Sequence, residues 1–482
     1  MKLTYTRYNE FLTGIELQSL PSTFKDAITL TRYLGIDYLW IDSLCIIQDS
    51  QPDWQRESYR MSDVYQGSFL NIGANAYNNS NGGLFHERDP YTVTPLIRRL
   101  RWPPGRESWK TVAFFPIPPG GDRNKLRNAP LSSRGWVAQE RLLAPRTLHF
   151  TARKVVWECP TMTATETDTT AILEGKQLTP QPDWVSLRSG LGPVEKADEC
   201  LRKWDEAIRI YTQGDLTFQS DKLIAVSGLA SRLRTLWNDE SVRYLAGLWS
   251  HRLETSLLWV VSRGSQTLDT IADQRAPSWS WAAVRGQVFP GHFENWTGFA
   301  EYNQLADVLQ AETYPIQHPL GPVNGGFIQI RGPLCVVTAT QDQDGNHNVL
   351  QLNGTQITFR DLNPDGHSFV SSSETQSNEL FLLGISIERG HEVFLRGLVL
   401  RPTGARSGNY TRVGCWTVGY QDMTIEANRA IAEFIGGAMD QDPCAIDFEL
   451  ILNSFSSTTL SEEFFEEIHR GPESLTYTIK IV

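Results

Sequence analysis

No apolar run in the 482 residues approaches the roughly 20 that a bilayer-spanning helix needs, so no membrane span is expected. The opening stretch MKLTYTRYNEFLTG has neither a basic leader region nor an apolar core, which argues against a secretory signal. Cysteine is scarce and scattered: Cys45, Cys159, Cys200, Cys335, Cys415 and Cys444 form no C-x-x-C pair and have no histidine at zinc-finger spacing. Free thiols in a reducing compartment, and hence a cytoplasmic location, are the simplest expectation. The nine histidines do not cluster at metal-ligand spacing either, so no metal site is expected.

Positive charge is also short. The net charge of −11 and pI near 5.4 oppose phosphate backbones, and the only basic concentration is IRRLRWPPGR at 97–106, broken by proline and tryptophan. Direct nucleic-acid binding is therefore not expected. The phosphate-binding G-x-x-x-x-G-K-[ST] and the G-x-G-x-x-G turn are missing, as are H-E-x-x-H and G-x-S-x-G, so no resident cofactor is required by any motif.

What remains is an ordinary globular composition, with 40% hydrophobic and 21% charged residues. Its length suits about three domains at ~150 residues each. PSTFKDAITLTRYLG starts on a cap-like Pro21–Ser22 and places Phe24, Ala27, Ile28 and Leu34 on one helical face before Gly35 stops it. YLWIDSLCIIQDS (38–50) reads as an apolar strand ending in polar groups. PDWQRESYRMSDVYQG has Trp54, Met61, Val64 and Tyr65 at helical spacing, and SFLNIGANA reads as another strand. Helix, strand, helix, strand with apolar strands predicts an α/β domain, residues 1–160, around a parallel sheet covered on both faces.

Within it, 77–130 reads as loops and insertions, SSRGWVAQERLL as a short helix and TLHFTARKVVWEC as a hairpin. Residues 161–300 are expected to be mainly helical and rich in tryptophan, with PSWSW as a strand that packs Trp279 and Trp281 into the core. Residues 301–482 are expected to form an antiparallel β-rich sandwich or partial barrel.

Ligands of parallel sheets bind beyond the carboxyl ends of the strands, where Asp42, Cys45, Gln48 and Asp49 fall. These could orient a ligand, or else Asp42 and Asp49 cap backbone donors while Cys45 packs as a small hydrophobe. Glu57, three residues after Trp54 and four before Met61, shares the inward stripe, where burial would suit its carboxylate to acid/base or oxocarbenium-stabilising work. The alternative is a rim carboxylate paired with Arg56 or Arg60. Gln139 and Glu140 pose the same question, because Trp136 and Glu140 lie one helical turn apart. There the alternative is a structural ion pair with Arg134 or Arg141.

The segments SLPSTFKDAITLTRYLGIDYLWIDSLCIIQD, DWQRESYRMSDVYQGSFLNIGANA, GGLF, RGWVAQERLLAPRTLHFT, VVWEC, DKLIAVSGLA, YLAGLW and APSWSWAAV resemble, in this order, fungal heterokaryon-incompatibility (HET) domain proteins. The resemblance is dense from 17 to 160 and continues as spaced blocks to about 285. It implies a fungal protein of non-self recognition and programmed cell death. It further implies distant kinship with the TIR fold, a flavodoxin-like α/β domain, some of whose members cleave NAD with the glutamate of a Trp-x-x-x-Glu motif on the helix after a central strand. Carried onto this sequence, that role falls to Glu57 beside Trp54, at a spacing one residue shorter. The resemblance also implies a first strand and turn like ALSYxWG ahead of the SLP block. LTYTRY stands there instead, so the domain is expected to lack its usual first strand.

Three functions compete. The first is a cell-death effector with NAD as substrate. The second is a cyclase or isomerase of fungal secondary metabolism acting on a small apolar substrate in an aromatic-lined pocket. The third is a non-catalytic interaction scaffold that takes no small-molecule ligand and binds a partner protein, with a homo-oligomer also open.

Overall fold

The structure is a computed structural model. It describes residues 1–87, 96–101, 109–114, 126, 129–166, 187, 189–262, 276–291, 301–341, 348–352, 354–357, 359–365, 369, 379–389, 392–404, 407–421, 451, 454–455, 460–470 and 475–482. The chain divides into two compact units: residues 1–196 with 213–217 and 224–237, and residues 197–212 with 218–223 and 238–482.

In the first unit the order is α1 (Tyr8–Thr13), α2 (Ser22–Tyr33), α3 (Asp42–Cys45), α4 (Gln51–Gln66), β1 (Asn71–Ala74), β2 (Leu96–Arg101), β3 (Trp109–Phe114), α5 (Trp136–Leu143), β4 (Thr147–Phe150), β5 (Val155–Cys159) and β6 (Met162–Thr165). Helix α6 (Pro193–Tyr211) starts here and continues in the second unit, while α7 (Ser227–Trp237) belongs to the first.

Helix α2 ends where the sequence places its stop. Gly35 takes φ +69, and the Gly35 and Ile36 amides donate back to Arg32 and Thr31 carbonyls at 3.0 and 3.1 Å. Helix α4 starts at Ser50, whose hydroxyl accepts from Asp53 N at 3.3 Å, and it buries Met61, which stabilises by about 1.5–3 kcal/mol.

Two strand expectations need correction. Tyr38–Ile41 is extended but pairs with no strand among the described residues. Its apolar character has another cause. Leu39 packs on the small core of Ala27, Leu84 and Phe150, Trp40 meets Tyr65 edge to face, and Tyr38 is 90% exposed. The sheet, in the order β1–β4–β5–β6, is mixed rather than parallel. Only β1 and β4 run parallel; β4–β5 and β5–β6 are antiparallel. The reason is the hairpin at Thr151–Lys154, which returns the chain beside β4 after four residues where a parallel neighbour would need a crossover. In the stretch expected to be loops, β2 and β3 form a two-stranded antiparallel ribbon.

LTYTRY does not supply a strand. Leu3 N donates to Ser43 O, Gln48 N donates to Leu3 O, and a 3-10 turn follows at Tyr5–Arg7.

Helix α7 crosses α4 and α5 closely because Gly228 has no side chain. A Cβ there would lie 2.5 Å from Ser62 Cβ and 2.6 Å from Gln139 Oε1. Gly228→Ala is expected to destabilise the protein by about 1–3 kcal/mol through overpacking, read as a lower denaturant midpoint. An unchanged midpoint would show that the helices can part without cost.

The second unit holds two parts of very different composition. Its tryptophan-rich part, with the short strands β7 (Tyr244–Leu245), β8 (Leu248–Trp249), β9 (Val260–Val261) and β10 (Val288–Phe289), buries Trp204, Trp249, Trp259, Trp279 and Trp281 almost completely. Buried indole N–H groups need acceptors. Trp204 and Trp281 both donate to Gly247 O, at 2.9 and 2.8 Å, and Trp259 donates to Trp279 O at 2.9 Å. Core packing of PSWSW is thus observed, but its strand is not. The segment is a turn leading into a 3-10 helix at Trp281–Ala283, with Ser280 Oγ accepting from Ala282 N. A turn leaves the Trp279 carbonyl free for the indole of Trp259, where a ladder would have occupied it.

Beyond residue 300, twelve strands share one hydrogen-bonded sheet: β11 (Glu301–Gln304), β12 (Asp307–Pro315), β13 (Val323–Gly332), β14 (Leu334–Gln341), β15 (Asn348–Leu352), β16 (Thr355–Ile357), β17 (Asp361–Pro364), β18 (Glu379–Arg389), β19 (Glu392–Pro402), β20 (Asn409–Gln421), β21 (Glu467–Arg470) and β22 (Leu475–Ile481). The main path is β12–β13–β22–β20–β19–β18–β14–β15–β16. It is antiparallel except between β20 and β22. The expected antiparallel β-rich region is present.

Candidate active site

A cleft of about 620 Å³ opens in the first unit between α2, the extended Tyr38–Ile41 segment, the end of α4 and the start of β1. Its volume suits a metabolite-sized ligand. The walls include Phe24, Leu39, Trp40, Phe69 and Ile72; the charged lining groups are Asp42, Arg134 and Glu140, with Tyr65 and Asn71 beside hydroxyls such as Thr23, Thr31 and Ser68.

Glu140 is the centre of this set. Although part of the residue reaches the cleft, protein encloses its carboxyl, and that burial, reinforced by the negative charge of Asp42, raises its pKa to about 7. Arg134 and a hydrogen bond from Tyr65 pull in the other direction. The Tyr65 phenol is itself held well above its ordinary value, chiefly by burial and then by Glu140, so it stays protonated and donates to the carboxylate. A carboxyl poised near neutrality, beside a second carboxylate and a cation in a concave site, is what acid/base chemistry requires.

Each group is placed by local structure. Asp42 opens α3, with Oδ1 accepting from Ser43 N at 2.7 Å. Tyr65 sits in the last turn of α4. Arg134 lies on backbone clamped by a distant segment: Gly135 N donates to Asp215 O at 2.8 Å and Asp215 N to Ser133 O at 2.6 Å. Glu140 projects from α5, whose next residue, Arg141, is drawn away to Glu158.

Residues 4–140 match the family model of the heterokaryon incompatibility protein (HET). The N-terminal part of the chain is similar to HET domains. No curated protein and no solved structure matches the chain. Every residue lining the cleft lies between 23 and 140, inside the HET match.

The other expected site residues of the HET domain lie elsewhere. Glu57 is held by arginines on its own helix, at 3.2 Å from Arg56 Nε and 3.1 Å from Arg60 Nη1, and it does not line the cleft. Asp49 Oδ1 accepts from Tyr5 N at 2.9 Å, fixing the N-terminal segment. Gln48 turns back on its own loop, donating to the Asp42 and Ile46 carbonyls. Cys45 is exposed as a residue, yet the protein around its thiol raises its pKa, which disfavours a thiolate nucleophile.

Gln139 is fully buried and its Oε1 accepts from Gly228 N at 3.0 Å, tying α5 to α7. Trp54 and Trp136 meet edge to face at 6.1 Å and join α4 to α5. Of the residues expected at the site, the cleft therefore brings together Asp42 and Glu140. It adds Tyr65, which helical spacing marked only as a core position, and Arg134, expected only as a structural partner of Glu140.

Proposed function

We propose that this HET domain acts in fungal non-self recognition and programmed cell death as a hydrolase of N-glycosidic bonds, with NAD as substrate. The observation that carries the reading is Glu140, a carboxyl poised at about 7 and set beside Asp42 in the cleft. The Trp-x-x-x-Glu spacing that Trp54 and Glu57 miss by one residue is met in full by Trp136 and Glu140. Five cysteines of the described residues are free thiols, which suits a reducing cytoplasm where NAD is present.

In this mechanism the bond from the ribose anomeric carbon to the nicotinamide nitrogen breaks, and its electron pair neutralises the pyridinium. Nicotinamide leaves uncharged and needs no acid. Asp42 stabilises the oxocarbenium by its negative charge. Water then bonds to the anomeric carbon and gives its proton to ionised Glu140, which passes it to solvent. Arg134 faces the diphosphate, and the ring systems lie against Trp40 and Phe69.

Purified protein incubated with NAD is expected to release nicotinamide and ADP-ribose, and Asp42→Asn to slow that release by about tenfold to a thousandfold. Absence of nicotinamide from the wild type would sink the reading.

A second reading, a cyclase or isomerase of an apolar metabolite, is favoured by the aliphatic walls Leu34, Ile36 and Leu39. It needs Glu140 protonated, so its rate falls as pH rises through about 7. NAD cleavage rises across the same range, which separates the two.

A further inference from the structure

Residues 97–101 of the basic stretch noted in the sequence lie in β2 of the β2–β3 ribbon, which pairs with no other strand among the described residues. Its register sets Ile97 opposite Ala113, Arg99 opposite Thr111 and Arg101 opposite Trp109, so these residues share one face. That face is open: Ile97 is 58% and Trp109 is 55% exposed, and Arg99, Arg101 and Thr111 are exposed as well. The opposite face carries exposed Leu96, Arg98, Lys110 and Phe114 beside half-buried Leu100 and Val112.

The described strands LIRRLR and WKTVAF hold Arg98, Arg99, Arg101 and Lys110 and no acid, in a chain of net charge −11. The Arg101 guanidinium lies 5.3 Å from the Trp109 ring centroid, so cation and aromatic form one amphipathic unit.

From this we infer that the β2–β3 ribbon docks the protein on an anionic lipid surface, with Ile97 and Trp109 entering the interface and the arginines on the headgroup phosphates. Charge complementarity fixes the sign of the partner, because a local positive ribbon on an acidic molecule is attracted to anions within a Debye length of about 8 Å despite the chain's net charge. The exposed apolar groups select lipid among anionic partners. Tryptophan and isoleucine gain by leaving water for the acyl boundary, and arginine stems snorkel back to the headgroups. Phosphates of a nucleic acid would use the cations alone and leave Ile97 in water. The surface is independent of the cleft and of NAD cleavage.

The test is sedimentation of the full chain with phosphatidylcholine vesicles, with and without phosphatidylserine. The wild type is expected to pellet only with phosphatidylserine. Neutralising Arg98→Gln, Arg99→Gln and Arg101→Gln together should lower the partition coefficient about a hundredfold, and Ile97→Ser with Trp109→Ser should lower it with the charges retained. Unchanged nicotinamide release or thermal melt would confirm that each variant is folded. No pelleting of the wild type overturns the proposal, as does equal pelleting of the arginine variant. Retention on single-stranded RNA that survives Ile97→Ser/Trp109→Ser overturns it in favour of nucleic acid. A dimer that the variants dissociate, with no vesicle binding, assigns the ribbon to a second copy instead.

Discussion

Glu140→Gln is expected to lower nicotinamide release by roughly 10²–10⁴-fold, the usual contribution of a positioned general base. Glutamine keeps the shape and cannot take a proton. The pH profile identifies the residue. In the wild type kcat/KM for nicotinamide release is expected to rise with pH and level off above about 7, because burial and then Asp42 raise the Glu140 pKa to about 7. Tyr65→Phe removes the hydrogen bond that favours the carboxylate, so the limb moves to higher pH. A Glu140→Gln enzyme as active as the wild type would remove Glu140 from the mechanism. Expression of the same variant in a fungal host, with growth and cellular NAD followed, links the chemistry to cell death; equal toxicity would separate them.

Glu158→Ala is expected to destabilise the protein by about 3–5 kcal/mol, because it strands the positive partner of a buried ion pair. Glu158 is 1% exposed on β5 and accepts from Arg141 at 2.7 and 2.5 Å and from His149 Nε2 at 2.9 Å. Assigning Asn75 Nδ2 as donor to His149 Nδ1, at 2.7 Å, leaves the ring's Nε2–H to donate to Glu158. Burial alone would raise the Glu158 pKa. The bonds from Arg141 and His149 outweigh it and bring the value down to about 2.

A carboxyl depressed in the folded state contributes stability that is fully present above its ordinary 4.5 and is lost as pH falls through about 2, a contribution of roughly 3 kcal/mol. Denaturation of wild type and Glu158→Ala at neutral pH and at acid pH should therefore show a gap that narrows with acid. A gap that stays constant would place the effect in packing alone. Glu140 has the opposite sign. Its raised pKa favours the folded state below 4.5 and withdraws that support as pH rises through about 7, so this buried carboxyl is held at a cost to stability near neutrality.

Local elements were legible because their causes lie within a few residues of sequence. The stripe of Phe24, Ala27 and Ile28 ended by Gly35, the helical spacing of Trp54, Met61, Val64 and Tyr65, and the short helix within SSRGWVAQERLL all fold as their spacing predicts. The family resemblance was legible for the same reason, as ordered local blocks. Tyr38–Ile41 misled because an apolar run looks the same whether it enters a sheet or lines a cleft. For Glu57 helical phase left an inward acid and an ion pair with Arg56 or Arg60 both open, and the bonds to those arginines match the second.

The sequence by itself determined a HET-like α/β front with acids at Asp42 and Glu140, a tryptophan-rich middle and a β-rich end. Only the tertiary structure decided that Tyr65 donates to Glu140, that 213–217 clamps the backbone bearing Arg134, and that burial, with Asp42 nearby, raises the Glu140 pKa to about 7. Helix phase and caps are set by neighbours along the chain. The state of a buried carboxyl is set by desolvation and by charges brought to it from far along the chain, and those exist only once the chain has closed around it.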